Sequence, residues 1–382
     1  MTIVGFTSTG SKRPHALFGP DVEGLPQRMH RSAGCMVHAT DGREYLDFIM
    51  ALGAVALGYG HADVTRAVID AVERGTIGPL SPDDESSLAA ELGAAMPWLE
   101  NVLFLKTGAE AVAAAVRIAR VATGRRHVIG CGYHGWLDWC SDADGVPLAT
   151  RDLYATVPFN DAEQTQHRIR AAGDRLACVV VEPVIDEAPG SEWLAVLRSE
   201  TERVGAILIF DEIKTAFRIA IGGAAEKWGV KPDLTVLGKA MANGYPLAAV
   251  GGSRALMHHA TRTWISSTMA TEFVSLAAAR ATVAAMKAHD VPRRLDAAGS
   301  RLLNGLKRLA TQHGDLGIRV AGIPQMCYLR HDNVQTSHRL AIECARRGLL
   351  FKRTAYNFVS LAHDEAAIDR ALDILADALA AC

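Results

Sequence analysis

The stretch LIFDEIKTAFR, residues 208–218, places two adjacent carboxylates directly after a run of apolar residues. The run that starts at Ala206 predicts a buried strand that ends at Asp211. In an open α/β sheet, side chains at the carboxyl ends of parallel strands face the ligand crevice. A helix N-cap or a structural ion pair would use the same residue types. Because two carboxylates stand together, a functional role is favoured, and Asp211 becomes a candidate site residue.

Strands and helices alternate on both sides of this stretch. Helical spacing is found at 108–123 and 191–204, and short apolar runs predict further strands at 101–106, 126–131, 175–182, 234–237 and 248–251. Continuous apolar strands between amphipathic helices are typical of a mostly parallel sheet with helices on both faces. The predicted fold class is therefore α/β.

The last third of the chain has a different pattern, with helical stretches near 272–289, 291–312, 335–347 and 364–380 and short strands near 317–321, 325–330 and 357–361. This pattern predicts a smaller α+β domain. We predict an N-terminal segment, residues 1–45, that packs with this small domain. Its first 40 or so residues are expected to be irregular. The large domain is predicted over 46–288 and the small domain over 289–382.

Composition excludes several classes of protein. The formal net charge is -2 and no basic run is present, which argues against a nucleic-acid partner. No apolar stretch reaches the roughly 18 residues of a membrane span, and the N-terminus lacks the pattern of a signal peptide. The seven cysteines are widely spaced without a C-x-x-C pair, so neither a disulfide framework nor a metal site is expected. We expect a cytoplasmic protein with reduced thiols.

The glycines of VIGCGYHG, residues 128–135, match the spacing of the dinucleotide fingerprint G-x-G-x-x-G. That fingerprint requires a helix that begins inside the motif, because the helix N-terminus receives the pyrophosphate. Here WLDWCSDADGVP follows, and its Asp, Gly and Pro residues do not favour a helix. The sequence therefore argues against a dinucleotide site.

The segment KTGAEA, residues 106–111, is a better candidate phosphate site. It joins a predicted strand directly to an Ala-rich helix. Gly108 permits close approach to the backbone, and the free N–H groups of the first helical turn can bind an anion. A simple strand-to-helix turn is the alternative interpretation.

The segment LGKAMANGYP, residues 237–246, places Lys239 after an apolar strand and a glycine. It lacks the G-x-x-x-x-G-K-[ST] pattern of a P-loop. An ordinary surface lysine is one interpretation. The other is a desolvated amine at a strand end, which can act as a nucleophile.

Taken together, these motifs resemble the class III, fold-type I pyridoxal-phosphate aminotransferases, and most closely the glutamate-1-semialdehyde aminomutase-like branch. The similarity runs from about Gly34 to the C-terminus. The motifs that carry it are TGAEA at 107–111, YHG at 133–135, EPV at 182–184, LIFDEIKTAFR at 208–218, PDLTVLGK at 232–239 and SST at 266–268. The resemblance implies the fold-type I architecture, with pyridoxal 5'-phosphate as the cofactor.

The resemblance also implies roles for single residues. Lys239 would form the Schiff base with the cofactor and then move a proton between substrate and cofactor. Asp211 would pair with the pyridine nitrogen and keep it protonated. Ile213, if the extended backbone continues past Asp211, and Tyr133 would pack on the two faces of the ring. His134 would serve a structural or a catalytic role.

Around the phosphate, the resemblance implies the amides of Gly108 and Ala109, with the hydroxyl of Thr107 nearby. Thr268 would complete the phosphate site of a neighbouring subunit, which implies a homodimer. Glu182 would lie close to the ring, where a purely structural role is equally consistent.

The cofactor alone does not determine the reaction. The aminomutases of this branch carry an aromatic-Glu-Ala stretch where this chain has TAYNFVS, residues 354–360, and they lack the tryptophans of CGYHGWLDW, residues 131–139. That second run resembles aminotransferases of sugar or secondary-metabolite pathways. The first prediction is therefore an aminotransferase acting on a small-molecule amino donor and a keto or aldehyde acceptor. The alternative is a glutamate-1-semialdehyde 2,1-aminomutase. Candidate substrate-binding residues are Trp136, Trp139 and Tyr356, which as aromatics are also candidates for the core.

Overall fold

The structure is a computed structural model that describes residues 3–382. It divides the chain into two compact units, one of Asp63–Pro292 and one in which the chain up to Ala62 joins Arg293–Cys382. The boundaries predicted from the sequence, after residues 45 and 288, lie earlier in the chain at both points.

The larger unit is built on a seven-stranded sheet. From one edge to the other its strands are Asn101–Leu105, Ala248–Gly252, Leu234–Leu237, Ile207–Asp211, Leu176–Val181, His127–Cys131 and Tyr154–Thr156. Only Ala248–Gly252 is antiparallel to its neighbours, so the other six strands run in one direction. The predicted mostly parallel sheet is confirmed.

Helices cover both faces of this sheet. Successive residues of Leu176–Val181 belong to two different apolar clusters, with Cys178 and Val180 in one and Val179 and Val181 in the other. Since alternate strand residues point to opposite faces, the strand is buried on both sides. The helices of this unit are Ala62–Glu73, Asp83–Ala95, Gly108–Thr123, Leu148–Arg151, Ala162–Ala172, Ser191–Val204, Gly223–Trp228, Arg254–Met257 and Phe273–Ala288.

The direction of the strands determines at which edge of the sheet the candidate residues lie. Cys131, Val181, Asp211 and Leu237 each end a parallel strand at the same edge of the sheet. The segments that follow these strands therefore lie side by side at this edge, which we call the carboxyl edge. All four segments carry predicted site residues.

Within residues 3–382, the smaller unit contains one mixed sheet, one antiparallel sheet and five α-helices. One sheet has the strands Met29–Ala33, Met36–Ala39, Glu44–Asp47 and Leu349–Leu350, and the other has Ile318–Ile323, Met326–His331 and Asn357–Phe358. Its helices are Pro14–Phe18, Met50–Gly53, Val291–Gln312, which begins at the boundary, Val334–Arg346 and Glu365–Ala380. This mixture agrees with the predicted α+β composition.

The expectation that the first 40 or so residues are irregular was wrong for residues 29–39. Met29–Ala33 pairs antiparallel with Met36–Ala39 at the edge of the first sheet. Its five residues are exposed or only partly buried, so its sequence MHRSA carries no alternating apolar signal. Among the helices of residues 3–382, none has the length and apolarity that a membrane span requires.

Candidate active site

Lys239 is the second residue after the strand Leu234–Leu237, and its side chain is partly buried at the carboxyl edge. Gly238 before it is extended, and Lys239 itself has φ 44°, in the left-handed region that non-glycine residues seldom adopt. Residues held in this region are often found at functional sites. The local backbone thus sets Lys239 apart from an ordinary surface lysine.

The surroundings of Lys239 favour its neutral amine. Burial lowers the pKa of Lys239 to about 8, and the positive charges of Lys214 and Arg218 act in the same direction. The carboxylates of Glu182 and Asp211 oppose this effect. Because an ordinary lysine titrates about two units higher, Lys239 is a far better nucleophile near neutral pH.

Asp211 is fixed by two hydrogen bonds in a buried position. Its Oδ2 accepts from Nδ1 of His134 at 2.8 Å, and its Oδ1 accepts from the amide of Ile213 at 3.3 Å. Both side chains of the His134–Asp211 pair are almost completely buried. An ionised Asp211 assigns the proton of His134 to Nδ1. His134 therefore holds Asp211 in place.

The neighbouring Glu212 has a different task. Its carboxylate accepts hydrogen bonds from the amides of Ala224 and Ala225, both at 2.9 Å, and from the hydroxyl of Thr215. These bonds satisfy the first amides of the helix Gly223–Trp228. Burial raises the pKa of Glu212 to about 7. Of the two adjacent carboxylates, Glu212 is structural and Asp211 belongs to the candidate site.

Glu182 follows the strand Leu176–Val181 and bridges two neighbouring segments. Its Oε1 pairs with Nζ of Lys214 at 2.9 Å, and its Oε2 accepts from the amide of Tyr133 at 2.9 Å. Sequence reasoning missed Lys214. The available signal was a charged residue within the otherwise apolar or small run IKTAF, residues 213–217.

The start of the helix Gly108–Thr123 forms the predicted phosphate cradle. Thr107 and Glu110 form a reciprocal capping box, in which the Thr107 side chain accepts from the Glu110 amide at 3.2 Å and Glu110 accepts from the Thr107 amide at 2.9 Å. Among residues 3–382, none accepts a hydrogen bond from the amides of Gly108 and Ala109. Two free first-turn amides at a helix N-terminus are suited to bind a phosphate.

Close contacts join this cradle to the other segments. A β-carbon on Gly108 would lie 2.6 Å from Cδ1 of Ile213, and one on Gly135 would lie 2.5 Å from Cβ of Ala109. A β-carbon on Gly238 would lie 3.6 Å from Ile213. Ile213 thus sits between the cradle and the segment that carries Lys239. The extended backbone on which its predicted ring contact depended does not continue, because the chain turns at this residue.

These polar groups together fit pyridoxal 5'-phosphate. The two free amides of the cradle suit its phosphate, and the buried carboxylate of Asp211 suits a protonated ring nitrogen. The partly buried amine of Lys239, whose pKa is lowered, suits an aldehyde.

Three of the other predicted residues have exposed side chains. The Tyr133 ring is 71% exposed, and Trp136 is 75% exposed. Thr268 lies at the exposed start of the short helix Thr268–Thr271. Tyr356 belongs to the smaller unit and packs edge-on against Tyr328.

Trp139 is a core residue and not part of a solvent-facing wall. It is 8% exposed, and its ring stacks on His134 with 6.1 Å between ring centroids. Directly after Gly135 the chain forms the short 3-10 helix Asp138–Cys140, and the next helix, Leu148–Arg151, begins 13 residues after Gly135. The glycine motif therefore lacks the helix of a dinucleotide site, as predicted.

We expect Gly135→Ala to weaken both the fold and cofactor retention more than Gly145→Ala does. Both glycines have φ above 90°, and both substitutions carry the cost of a β-carbon in that region, roughly 1–2 kcal/mol. Only Gly135→Ala adds a collision with Ala109, since nothing lies within 4 Å of a β-carbon on Gly145. Urea unfolding and the pyridoxal phosphate content after gel filtration would measure the difference. If the two variants had equal unfolding free energies and equal cofactor contents, the close approach of Gly135 to Ala109 would be contradicted.

The chain is similar to known proteins over nearly all of its length. The sequence model of the family described as aminotransferase class-III matches residues 19–379. The glutamate-1-semialdehyde 2,1-aminomutase of Roseiflexus castenholzii is 33% identical, over 94% of this chain and 91% of its own length.

Two solved structures are also similar. The FumI protein of Sphingopyxis sp. MTA144 aligns with a TM-score of 0.93 at 24% identity, over 99% of this chain and 93% of that one, which supports the fold alone. A transaminase with pyridoxal phosphate bound aligns with a TM-score of 0.86 at 26% identity, over 93% of this chain and 90% of that one. The predicted fold and family resemblance are confirmed.

Proposed function

The chain belongs to the class-III aminotransferase family, in its glutamate-1-semialdehyde aminomutase-like branch, and we propose that it moves an amino group between two carbon atoms. Its cofactor is pyridoxal 5'-phosphate, as predicted from the sequence. When bound, pyridoxal phosphate supplies an aldehyde that reacts with amines and a ring that stabilises negative charge on the substrate carbon. The observation that carries this proposal is the amine of Lys239, whose pKa is about 8, beside the buried Asp211.

Each residue of the set has a proposed task. The amides of Gly108 and Ala109 would donate hydrogen bonds to the phosphate. The carboxylate of Asp211, held by His134, would pair with the ring nitrogen and favour its protonated form. The neutral Nζ of Lys239 would hold the aldehyde carbon and would serve as the general base and general acid for the substrate.

Two reactions use this chemistry, and they differ in where the amino group goes. The name of the curated relative favours the 2,1-aminomutase, which was the alternative in the sequence analysis, over the aminotransferase that was placed first. We therefore propose amino migration within one amino-aldehyde substrate as the main reaction.

Transfer between two molecules is the second candidate, because of the stretch at the start of the strand Asn357–Phe358. In the aminomutases of this branch an acid is expected here, and this chain has Tyr356 and Asn357. The buried side chain of Asn357 accepts from the amide of Lys352 at 2.6 Å and donates to the carbonyl of Lys352 at 3.0 Å. Asn357 therefore closes a loop, and no carboxylate is present at this position.

An isotope experiment separates the two reactions. Purified holoenzyme receives glutamate-1-semialdehyde with a ¹⁵N amino group, with and without an unlabelled keto acid. The aminomutase proposal expects the isomer with the labelled amino group moved from carbon 2 to carbon 1, whether or not the keto acid is present. Label in a new amino acid formed from the keto acid would instead support the aminotransferase. Absence of both products would contradict the proposed function for this substrate.

The remaining sequence predictions stay proposals. A homodimer in which Thr268 reaches the neighbouring site would suit the exposed position of Thr268. A cytoplasmic location and small-molecule amino and carbonyl substrates accord with the proposed metabolic reaction.

A further inference from the structure

A second lysine, Lys214, lies buried at the carboxyl edge. Its side chain is 9% exposed, and Nζ pairs at 2.9 Å with Oε1 of Glu182, whose side chain is 8% exposed. A charge is stable in such a position only when a partner compensates it. Glu182 supplies that compensation for Lys214.

The backbone places Lys214 near Lys239. The amide of Glu212 donates to the carbonyl of Val236 at 3.0 Å, so the two segments leave the sheet side by side. Ile213 follows Glu212 directly, and its side chain lies 3.6 Å from the position of a β-carbon on Gly238, two residues after Val236. Lys214 and Lys239 are the next residues on these two segments.

Glu182 also joins this lysine to residues 132–135, which we call the glycine loop. Its second oxygen accepts from the Tyr133 amide at 2.9 Å. A β-carbon on Gly132 would lie 2.5 Å from that oxygen, so the loop backbone rests directly on the carboxylate. The ion pair thus touches the segment that carries Tyr133 and His134.

We propose that Lys214 is a positioning residue for Lys239, whose ammonium form it disfavours by charge repulsion, while its pairing with Glu182 anchors the glycine loop. This inference rests on the proposed role of Lys239 as the reactive amine. A neighbouring cationic group is a known means of activating a lysine nucleophile.

The charges around Lys239 support the direction of this effect. Lys214 and Arg218 disfavour its ammonium form, and Glu182 and Asp211 favour it. After burial, Lys214 makes the largest contribution to the pKa of Lys239 and exceeds Glu182. Removing only the charge of Lys214 therefore raises the pKa, and removing the charges of both Lys214 and Glu182 raises it by less.

Competitive acetylation of the full chain, stripped of cofactor, tests this inference. Each lysine is labelled with acetic anhydride across a pH series and quantified by peptide mass spectrometry, with the exposed Lys231 as internal reference. In the wild type we expect the midpoint of Lys239 labelling near pH 8. Lys214→Gln should raise it by about one unit, and Lys214→Arg should keep the wild-type value.

A second variant covers a failure of Lys214→Gln to fold. The double variant Lys214→Gln/Glu182→Gln leaves no unpaired buried charge. It should raise the midpoint of Lys239 labelling by less than the shift of about one pH unit expected for Lys214→Gln. Loss of stability without a shift of the midpoint in either variant overturns the inference and leaves the proposed function intact. If Lys239 of the wild type is labelled with the midpoint of an ordinary exposed lysine, the inference is overturned as well. The proposed function is decided separately by the isotope experiment.

Discussion

Replacing Lys239 by alanine is expected to reduce amino-group transfer by a factor of about 10⁴ or more. The substitution removes the only proposed proton carrier, and a positioned acid–base group alone contributes about 10²–10⁴-fold to a rate. It also removes the amine that binds the aldehyde, so the variant should lose pyridoxal phosphate during gel filtration. Steady-state rates and the absorbance spectrum of the filtered protein measure both effects.

Lys231→Ala is the matched control for this substitution, because Lys231 is an exposed lysine just before the same strand. It should keep both the rate and the bound cofactor. A small amine added to Lys239→Ala should restore part of the proton transfer, since the alanine leaves room for it. If Lys239→Ala kept the wild-type rate, Lys239 would not be the reactive residue.

The sheet of the larger unit is predictable because its strands are apolar on both faces. Leu176–Val181 is buried at every residue, so its sequence is a continuous apolar run without polar alternation. The helix Gly108–Thr123 begins and ends where the sequence predicts, because Thr107 with Glu110 caps its start and Gly124 ends it with φ 70°.

The first sheet of the smaller unit was not predictable from local patterns. Its strand Leu349–Leu350 pairs in parallel with Glu44–Asp47, so the two partners come from opposite ends of the chain. Two residues of strand carry almost no periodic signal. Only the tertiary structure brings such segments together.

Within the candidate site, the residues at strand ends could be predicted and their partners could not. Asp211 and Lys239 follow apolar runs, and this position is visible in the sequence. The pairing of Lys214 with Glu182 depends on neighbouring strands, and the burial of Trp139 depends on its stacking against His134. Contacts of this kind follow from the register of the sheet, so the local sequence does not predict them.

The second large effect is expected for Asp211→Asn, which should lower amino-group transfer by about 10²–10³-fold with little change in the fold. Losing one preorganised electrostatic group at a reacting centre typically has this magnitude. Asparagine has nearly the same shape, and its carbonyl can still accept from Nδ1 of His134, which in this structure donates to Oδ2 at 2.8 Å. Its NH₂ group would then face the ring nitrogen as a donor, so that nitrogen would lose its proton and the ring would stabilise negative charge poorly.

Asp233→Asn provides the control, because Asp233 precedes the strand Leu234–Leu237 at the opposite edge of the sheet. Its carboxylate accepts from the amide of Leu208 at 2.7 Å and from Arg198 at 3.1 Å, so it has a structural task. Asp233→Asn should lower the free energy of unfolding and keep the rate of amino transfer. Asp211→Asn should lower the rate strongly and the free energy of unfolding by less, because its NH₂ group loses only the 3.3 Å bond from the Ile213 amide. Thermal unfolding and steady-state rates of both variants decide whether Asp211 has a catalytic or a structural role. If Asp211→Asn lost stability and kept the rate, Asp211 would be a structural ion-pair partner of His134 and the ring nitrogen would be protonated by another group.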